Sequence, residues 1–422
     1  MLVEFSVKNF MSIKNEITFS MVAGTGDENK DNIIENTKYK EGYLKSTAIY
    51  GANASGKSNF IKAIGSAIMM VRKSNSRNLN ELLLEMKPFK FDSKTVNEPC
   101  EFKFVFIKND IKYIYGFSAD VNKVYTEYLY QYLSAKPSLI FEREDTNNYN
   151  FTQAEQSKLK EIALKNTENK LFLSTSAAWN YDKTKDAYMW FADNIDTFTD
   201  YASIAGVAFG MYEDDKNGEL KKFTINLLNQ ADILIKDYDF EAKETEIADA
   251  IALRNMMAHN ENFVYKNVKI STTHEIEDEK GNKTNYLLDF RDESLGTQNI
   301  FYFSPALKET IEEGKVMIID EIDKSLHPLL VEFIIKLFHD KNINKNGAQL
   351  IFNTHDTNLL SLENFRRDQI WFTEKEPKSG ATDLYPLDDF SVRKSENVRK
   401  GYLNGRYGAI PFLSTGDDLW KD

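Results

Sequence analysis

Apolar and polar residues alternate with period two across residues 2–7 and again across 16–20, on either side of a turn at 11–15. That spacing predicts a pair of strands, each with one buried face. Residues 24–45 are polar and rich in Gly, Asn and Lys, which predicts a loop. The apolar run Thr47-Ala48-Ile49-Tyr50 predicts a strand, and the stretch from Asn59 to about Asn75 a helix. Residues 102–107 and 111–117 alternate about Lys108-Asn109-Asp110, the pattern of a hairpin, and 124–133 adds a further strand. From about residue 153 the spacing becomes helical: 153–166, 185–201 and 219–236 predict helices, with another over 247–259. Strand spacing returns at 263–273 and 285–291, joined by the turn-prone 278–283, and strands and helices alternate from there on. No heptad run is long enough for a coiled coil, and there is no internal repeat. The expected class is α/β: a mixed central sheet flanked by helices, an antiparallel β lobe and a helical insertion. The boundaries this suggests are 1–150, 151–262, 263–385 and a tail at 386–422.

Composition narrows the picture. A chain of 422 residues, 42% hydrophobic and 13% aromatic, can bury a large core in two or three domains. The single cysteine, Cys100, excludes a disulfide scaffold and a Cys-based metal cluster and suits a reducing compartment. The N-terminus lacks the pattern of a secretory signal, and no run approaches the ~18 apolar residues that span a membrane. The expected location is therefore the cytoplasm. A net charge of -12 argues against a broadly basic nucleic-acid surface, while leaving a local basic groove open.

Candidate chemistry begins at Gly51-Ala52-Asn53-Ala54-Ser55-Gly56-Lys57-Ser58, a G-x-x-x-x-G-K-[ST] loop between the predicted strand and helix. Gly51 and Gly56 let the backbone turn its N–H groups inward around a phosphate. Lys57 adds a point charge to the β/γ-phosphates, and the Ser58 hydroxyl is placed to bind Mg²⁺. The candidate nucleotide contacts are Gly51, Asn53, Ala54, Ser55, Gly56, Lys57, Ser58 and Asn59. A second apolar run, Lys315 to Glu321, ends in two acids, at the end of a strand where open α/β sheets bind ligands. Asp320 would hold Mg²⁺ through its water shell, and Glu321 would polarise the attacking water as general base. The run Leu350 to His355 ends in a histidine that could touch the γ-phosphate and sense its loss. Ser294 and Gly296, ahead of a helical run at 300–311, offer a hydroxyl, free N–H groups and a positive dipole end. Phe10 and Tyr50 are guesses for the adenine contact.

These four elements, in this order, resemble the ATP-binding-cassette class of ATPases, in the branch containing SMC, RecF and OLD-type proteins. The opening Val7-Lys8-Asn9-Phe10-Met11-Ser12-Ile13 resembles the "NF-x-S-I" start of that branch, and 323–327 is placed like its D-loop. The resemblance implies ATP and Mg²⁺ as cofactors, an ABC-type P-loop head, and a homodimer or higher homo-oligomer. Ser294 and Gly296 of one chain would complete the site built on Lys57 of another. Two departures stand out. The signature reads Ser-Leu-Gly-Thr-Gln instead of Ser-Gly-Gly-Gln, and no lobe-linking Gln can be assigned.

Residues 323–328, 368–375 and 405–411 further resemble the AbiLi/RloA-like ATPases of bacterial abortive infection and phage defence. Such ATPases are often encoded beside an effector, of RloB type or another nuclease or toxin, which implies a sensor that controls a partner. The basic stretch 391–411 is either a docking surface for an effector or nucleic acid, or a tail packed by Tyr402, Tyr407 and Phe412. Trp179 and Trp190 are expected in the core. The main alternative function is DNA repair or maintenance of RecF or SMC type. A fused nuclease is disfavoured: only 67 residues (422 minus 355) follow His355, with adjacent acidic pairs only at 388–389 and 417–418. A transporter motor is disfavoured by the opening strands and the insertion.

Overall fold

The computed structural model describes residues 1–36, 38–199, 201–244, 266–277 and 279–411. The strands in chain order are β1 (Leu2–Lys8), β2 (Ile17–Ser20), β3 (Ile33–Asn36), β4 (Glu41–Leu44), β5 (Ser46–Gly51), β6 (Cys100–Lys108), β7 (Ile111–Ala119), β8 (Val124–Tyr132) and β9 (Ser138–Glu144). They continue with β10 (Asn148–Phe151), β11 (Ile195–Phe198), β12 (Asp237–Glu244), β13 (Lys266–Glu277), β14 (Lys283–Asp289), β15 (Val316–Ile319), β16 (Gln349–Asn353), β17 (Ile370–Lys375) and β18 (Thr382–Pro386). The helices are α1 (Lys57–Ser74), α2 (Gln156–Ala163), α3 (Phe172–Ala178), α4 (Asp182–Asp193), α5 (Tyr201–Asp214), α6 (Glu219–Gln230), α7 (Leu295–Glu313), α8 (Pro328–His339) and α9 (Val398–Leu403). The chain divides into two compact units, one of Met1–Thr199, Thr310–Lys324 and Val331–Asp422, the other of Asp200–Glu309 and Ser325–Leu330.

The first unit holds two large sheets. One is antiparallel, in the order β10-β9-β8-β7-β6-β1-β2. Its β6–β7 turn is Asn109-Asp110, both with positive φ (50° and 58°), the twist that a two-residue hairpin turn demands. The other has the order β11-β15-β16-β5-β17-β18 and is parallel except for its last pair. β5 is buried at every position, as a strand covered on both faces must be. Between the sheets lies α1, whose apolar side presents Phe60, Ile61, Ile64, Ala67, Ile68 and Val71 at helical spacing. Phe60 meets Phe5 of β1 and Phe19 of β2 at ring distances of 5.8 and 5.4 Å.

Three differences from the sequence expectation have physical reasons. Residues 24–45 carry a small hairpin, β3 against β4, with Ile33 opposite Leu44. Residues 195–198, expected to continue a helix, form β11, because Ile195-Asp196-Thr197-Phe198 pairs in register with Val316–Ile319 and tertiary pairing overrides local propensity. The expected 151–262 insertion does not match the observed division: α2–α4 belong to the first unit, where Trp190 of α4 is fully buried and stacked on Phe106 at 4.2 Å and 15°. Trp179, by contrast, is 52% exposed, under the Lys165 ammonium. The helix expected at 247–259 lies outside the described residues.

The second unit holds the three-stranded antiparallel sheet β12-β13-β14, with α5, α6 and α7 as far as Glu309. Its core is aromatic: Tyr212 stacks on Phe301 at 4.5 Å and donates its hydroxyl proton to the Phe301 carbonyl at 2.7 Å. Among the described residues, no helix is long and apolar enough to cross a membrane.

Candidate functional site

The phosphate loop leaves β5 at Gly51 and enters α1 at Lys57. A Cβ on Gly51 would come within 2.5 Å of the Thr373 carbonyl and 2.6 Å of Ser55 Oγ. Gly56 has φ 117°, and a Cβ there would run into the side chain of Thr382. Both positions therefore require glycine, one for space and the other for space and backbone. Asn53 and Ala54 form the exposed crest, Ala54 at φ 62°. Ser55 Oγ lies 2.6 Å from Thr373 Oγ1, so β17 braces the loop from behind.

The opening motif supplies a second brace. Ser12 Oγ accepts from Asn59 Nδ2 at 2.7 Å and lies 2.8 Å from Thr382 Oγ1, which donates to the Ser55 carbonyl at 2.8 Å. Asn59 is thus committed to holding α1 against this network. Asn9 accepts from the Phe89 amide at 3.0 Å and donates to the carbonyls of Thr95 and Glu98, both at 2.8 Å. Phe10 is fully buried, and Tyr50 is 1% exposed between Phe372 and Tyr402. Neither can face a base, which corrects the expectation for both.

Lys57 Nζ donates to the carbonyls of Gly51 (2.7 Å) and Ala52 (3.1 Å), and burial lowers its pKa to about 8. Ser58 Oγ donates to Asp320 Oδ1 at 2.9 Å. A hydroxyl and a carboxylate so close are oxygen donors of the kind Mg²⁺ takes. One acid leaves the other positions to phosphate and water, the usual arrangement for this ion. Asp320 and Glu321 follow β15, and the Asp320 amide donates to the Phe198 carbonyl at 2.9 Å. Glu321 takes a left-handed φ of 55°, and its amide donates to Asn353 Oδ1 at 2.6 Å. Asn353 Nδ2 donates in turn to Asp320 Oδ1. Fully buried at the end of β16, Asn353 thus holds the Asp320 carboxylate and the Glu321 backbone. Sequence reasoning passed over it, since its role arises only from the pairing of β16 with β15.

His355 follows two residues later. Its amide donates to Asp323 Oδ2 at 3.4 Å. Solvent reaches the residue, yet partial desolvation and then the charge of Lys57 lower the imidazole pKa. Lys57, Ser58, Asp320, Glu321 and His355 thus converge at the carboxyl ends of three adjacent strands, β5, β16 and β15. Ser294 and Gly296 belong to the other unit, at the start of α7. Ser294 Oγ caps the helix by accepting from the Thr297 amide at 3.1 Å. A Cβ on Gly296 would stand 3.0 Å from the Ser325 carbonyl.

The motifs at 368–375 and 405–411 prove to be scaffold. Asp368 accepts from the Gly24 amide at 2.7 Å and pairs with the buried guanidinium of Arg366 at 2.8 Å. Tyr407 stacks on Phe372 of β17 at 5.8 Å and 18°, and donates to Glu396 at 2.9 Å. Tyr402 stacks on the same ring at 5.4 Å. Residues 391–411 are therefore held by Tyr402 and Tyr407, while Phe412 lies outside the described residues.

Residues 46–361 match the model of a family described as "AAA domain, putative AbiEii toxin, Type IV TA system". No curated protein matches the chain. Solved structures that resemble it at low identity include three that illustrate the range. One is an SMC head bound to the C-terminal winged-helix domain of ScpA, with 12% identity over 91% of this chain and 97% of that one and a TM-score of 0.37. The second is an SMC head with coiled coil and joint from Pyrococcus yayanosii (10%, 96% and 99%, TM-score 0.37). The third is cbiO1 of the cbiONQ transporter complex from Clostridium perfringens (13%, 97% and 98%, TM-score 0.32).

Proposed function

This chain belongs to the AAA-domain family of the AbiEii type, and on that premise we propose that it is an ATP hydrolase controlling a partner effector in defence against phage. The observation that carries the reading is the convergence of Lys57, Ser58, Asp320 and Glu321 on one sheet edge, with Ser58 already on Asp320 at 2.9 Å. In this reading the loop amides and Lys57 bind the β- and γ-phosphates. Ser58 and Asp320 would hold Mg²⁺, which would supply positive charge to neutralise the phosphates. Glu321, its backbone held by Asn353, takes the proton of the attacking water. Ser294 and Gly296 of a second copy close on the γ-phosphate, with N–H groups at a helix start. His355 registers loss of that phosphate, and the reopened pair releases the effector. The AbiEii-type family and the motifs at 323–328, 368–375 and 405–411 support the defence setting.

Two experiments test this. Light scattering with ATP should show Glu321→Gln held in a dimer and Lys57→Ala left apart. Wild-type hydrolysis by Glu321→Gln would remove Glu321 as the base. Phage plating on cells carrying the gene with its neighbours, wild type against Lys57→Ala, tests the biology. Protection lost in the variant is expected. Equal plating across a broad phage panel would favour a maintenance ATPase of RecF or SMC type instead.

A further inference from the structure

With Phe10 and Tyr50 buried, the base of a bound nucleotide must meet other side chains. Phe91 is 77% exposed, on the segment that returns from α1 to β6. Its neighbour Phe89 is fully buried, edge-on to it at 5.8 Å and 90°, and fixed through its amide to Asn9. The same segment is tied to the opening motif where the Met11 amide donates to the Lys87 carbonyl at 2.7 Å, and where Lys14 pairs with Asp92 at 2.7 Å. Phe91 is therefore an exposed ring on an anchored backbone.

Its position relates it to the phosphate loop. Gly380 sits in the turn between β17 and β18, and a Cβ there would touch the Phe91 ring at 3.4 Å. β17 pairs in parallel with β5, Thr373 opposite Gly51, so this turn lies at the carboxyl edge of the sheet beside the loop. Two residues further on, about 7 Å of extended chain, Thr382 packs on Gly56 and its amide donates to the Ser12 carbonyl at 2.7 Å. That offset is comparable to the ribose that separates phosphate from base. Gly380, with φ 67°, brings only backbone to the side of the ring, within van der Waals reach of its Cδ2 and Cε2. An aromatic face held open to water next to a phosphate cradle suits a flat, polarisable heterocycle.

We propose that Phe91 is the stacking platform for the adenine base. This rests on reading the loop as an ATP site, and the test separates the two. Calorimetric titrations with ADP–Mg²⁺ and with inorganic tripolyphosphate, which lacks a base, compare wild type, Phe91→Ala, Phe91→Trp and Lys57→Ala. Phe91→Ala should weaken ADP about ten-fold, the usual cost of removing one stacked aromatic, and leave tripolyphosphate unchanged. Phe91→Trp should restore ADP affinity. Unchanged ADP affinity in Phe91→Ala, with binding lost in Lys57→Ala, would overturn the platform and keep the ATP site. Equal weakening of ADP and tripolyphosphate would also overturn it, as a displaced loop would act on the phosphates. Failure of wild type to bind either ligand would remove the ATP site itself.

Discussion

Lys57 gives nucleotide binding a pH dependence that follows from its surroundings. Its side chain is withdrawn from water and bonded to two peptide carbonyls, so burial lowers its pKa to about 8. The phosphates of a bound nucleotide favour the ammonium form and return it to its ordinary value of about 10.5. Raising the pH strips from the free protein a proton that the complex requires, so binding takes up a proton and weakens in alkali. At pH 8.5 the free lysine is about one quarter protonated and the complex almost wholly, an uptake of about 0.75 proton per site. At pH 7 the uptake is about 0.1, and between pH 7.5 and 9.5 affinity falls about twenty-fold. The assay is calorimetry with ADP–Mg²⁺ at pH 8.5 in two buffers of different ionisation enthalpy, where the dependence of the observed heat on the buffer counts protons. Lys57→Arg, permanently charged, should lose the uptake. Equal heats in both buffers for the wild type would refute a lysine that deprotonates in the free site.

Asn353→Leu keeps the bulk of the side chain but frees the Asp320 carboxylate and the Glu321 amide. Losing a bond to charged Asp320 should lower kcat about ten- to a hundred-fold with little change in KM, as steady-state kinetics would show. Gly56→Ala should abolish nucleotide binding in the same calorimetric assay. Adding Thr382→Ala removes the two nearest side-chain atoms but leaves its Cβ 2.8 Å away and a backbone cost of about 1–3 kcal/mol at φ 117°, so recovery stays partial. Trp190→Ala empties the stack on Phe106 and should cost about 3–5 kcal/mol in urea unfolding. Trp190→Phe keeps a ring and deletes an indole N–H that is buried without a partner, so its cost should stay below about 1.5 kcal/mol.

The phosphate loop was legible in the sequence because its residues are contiguous and each has a fixed duty. Asp320 and Glu321 were legible because a strand buried on both faces reads as an unbroken apolar run. Asn353 was not, since what it does depends on a strand 33 residues away from Asp320 in sequence. β11 was hidden because four residues at a sheet edge carry too little periodicity, and it takes its conformation from β15. Phe10 and Tyr50 misled for a related reason: an aromatic near a loop is exposed or buried by packing from remote segments, here Phe102 and Tyr402. Phe91 lies in a stretch with no period, and only its remaining solvent exposure marks it.

The central position of β5 has a consequence for how the chain is made. Its neighbours arrive late: Ile351 stands opposite Thr47 and Trp371 opposite Ile49. A ribosome adding about 5–20 residues per second takes roughly 15 to 65 s to go from Gly51 to Thr373. Through that interval the nascent polypeptide carries a six-residue strand, destined for full burial, with both hydrogen-bonding edges open, ready to pair with any other strand it meets. Synthesis therefore passes through a window in which the strand leading into the phosphate loop is open to aggregation, and a chaperone holding the first fifty residues would guard the chain until its partners are made.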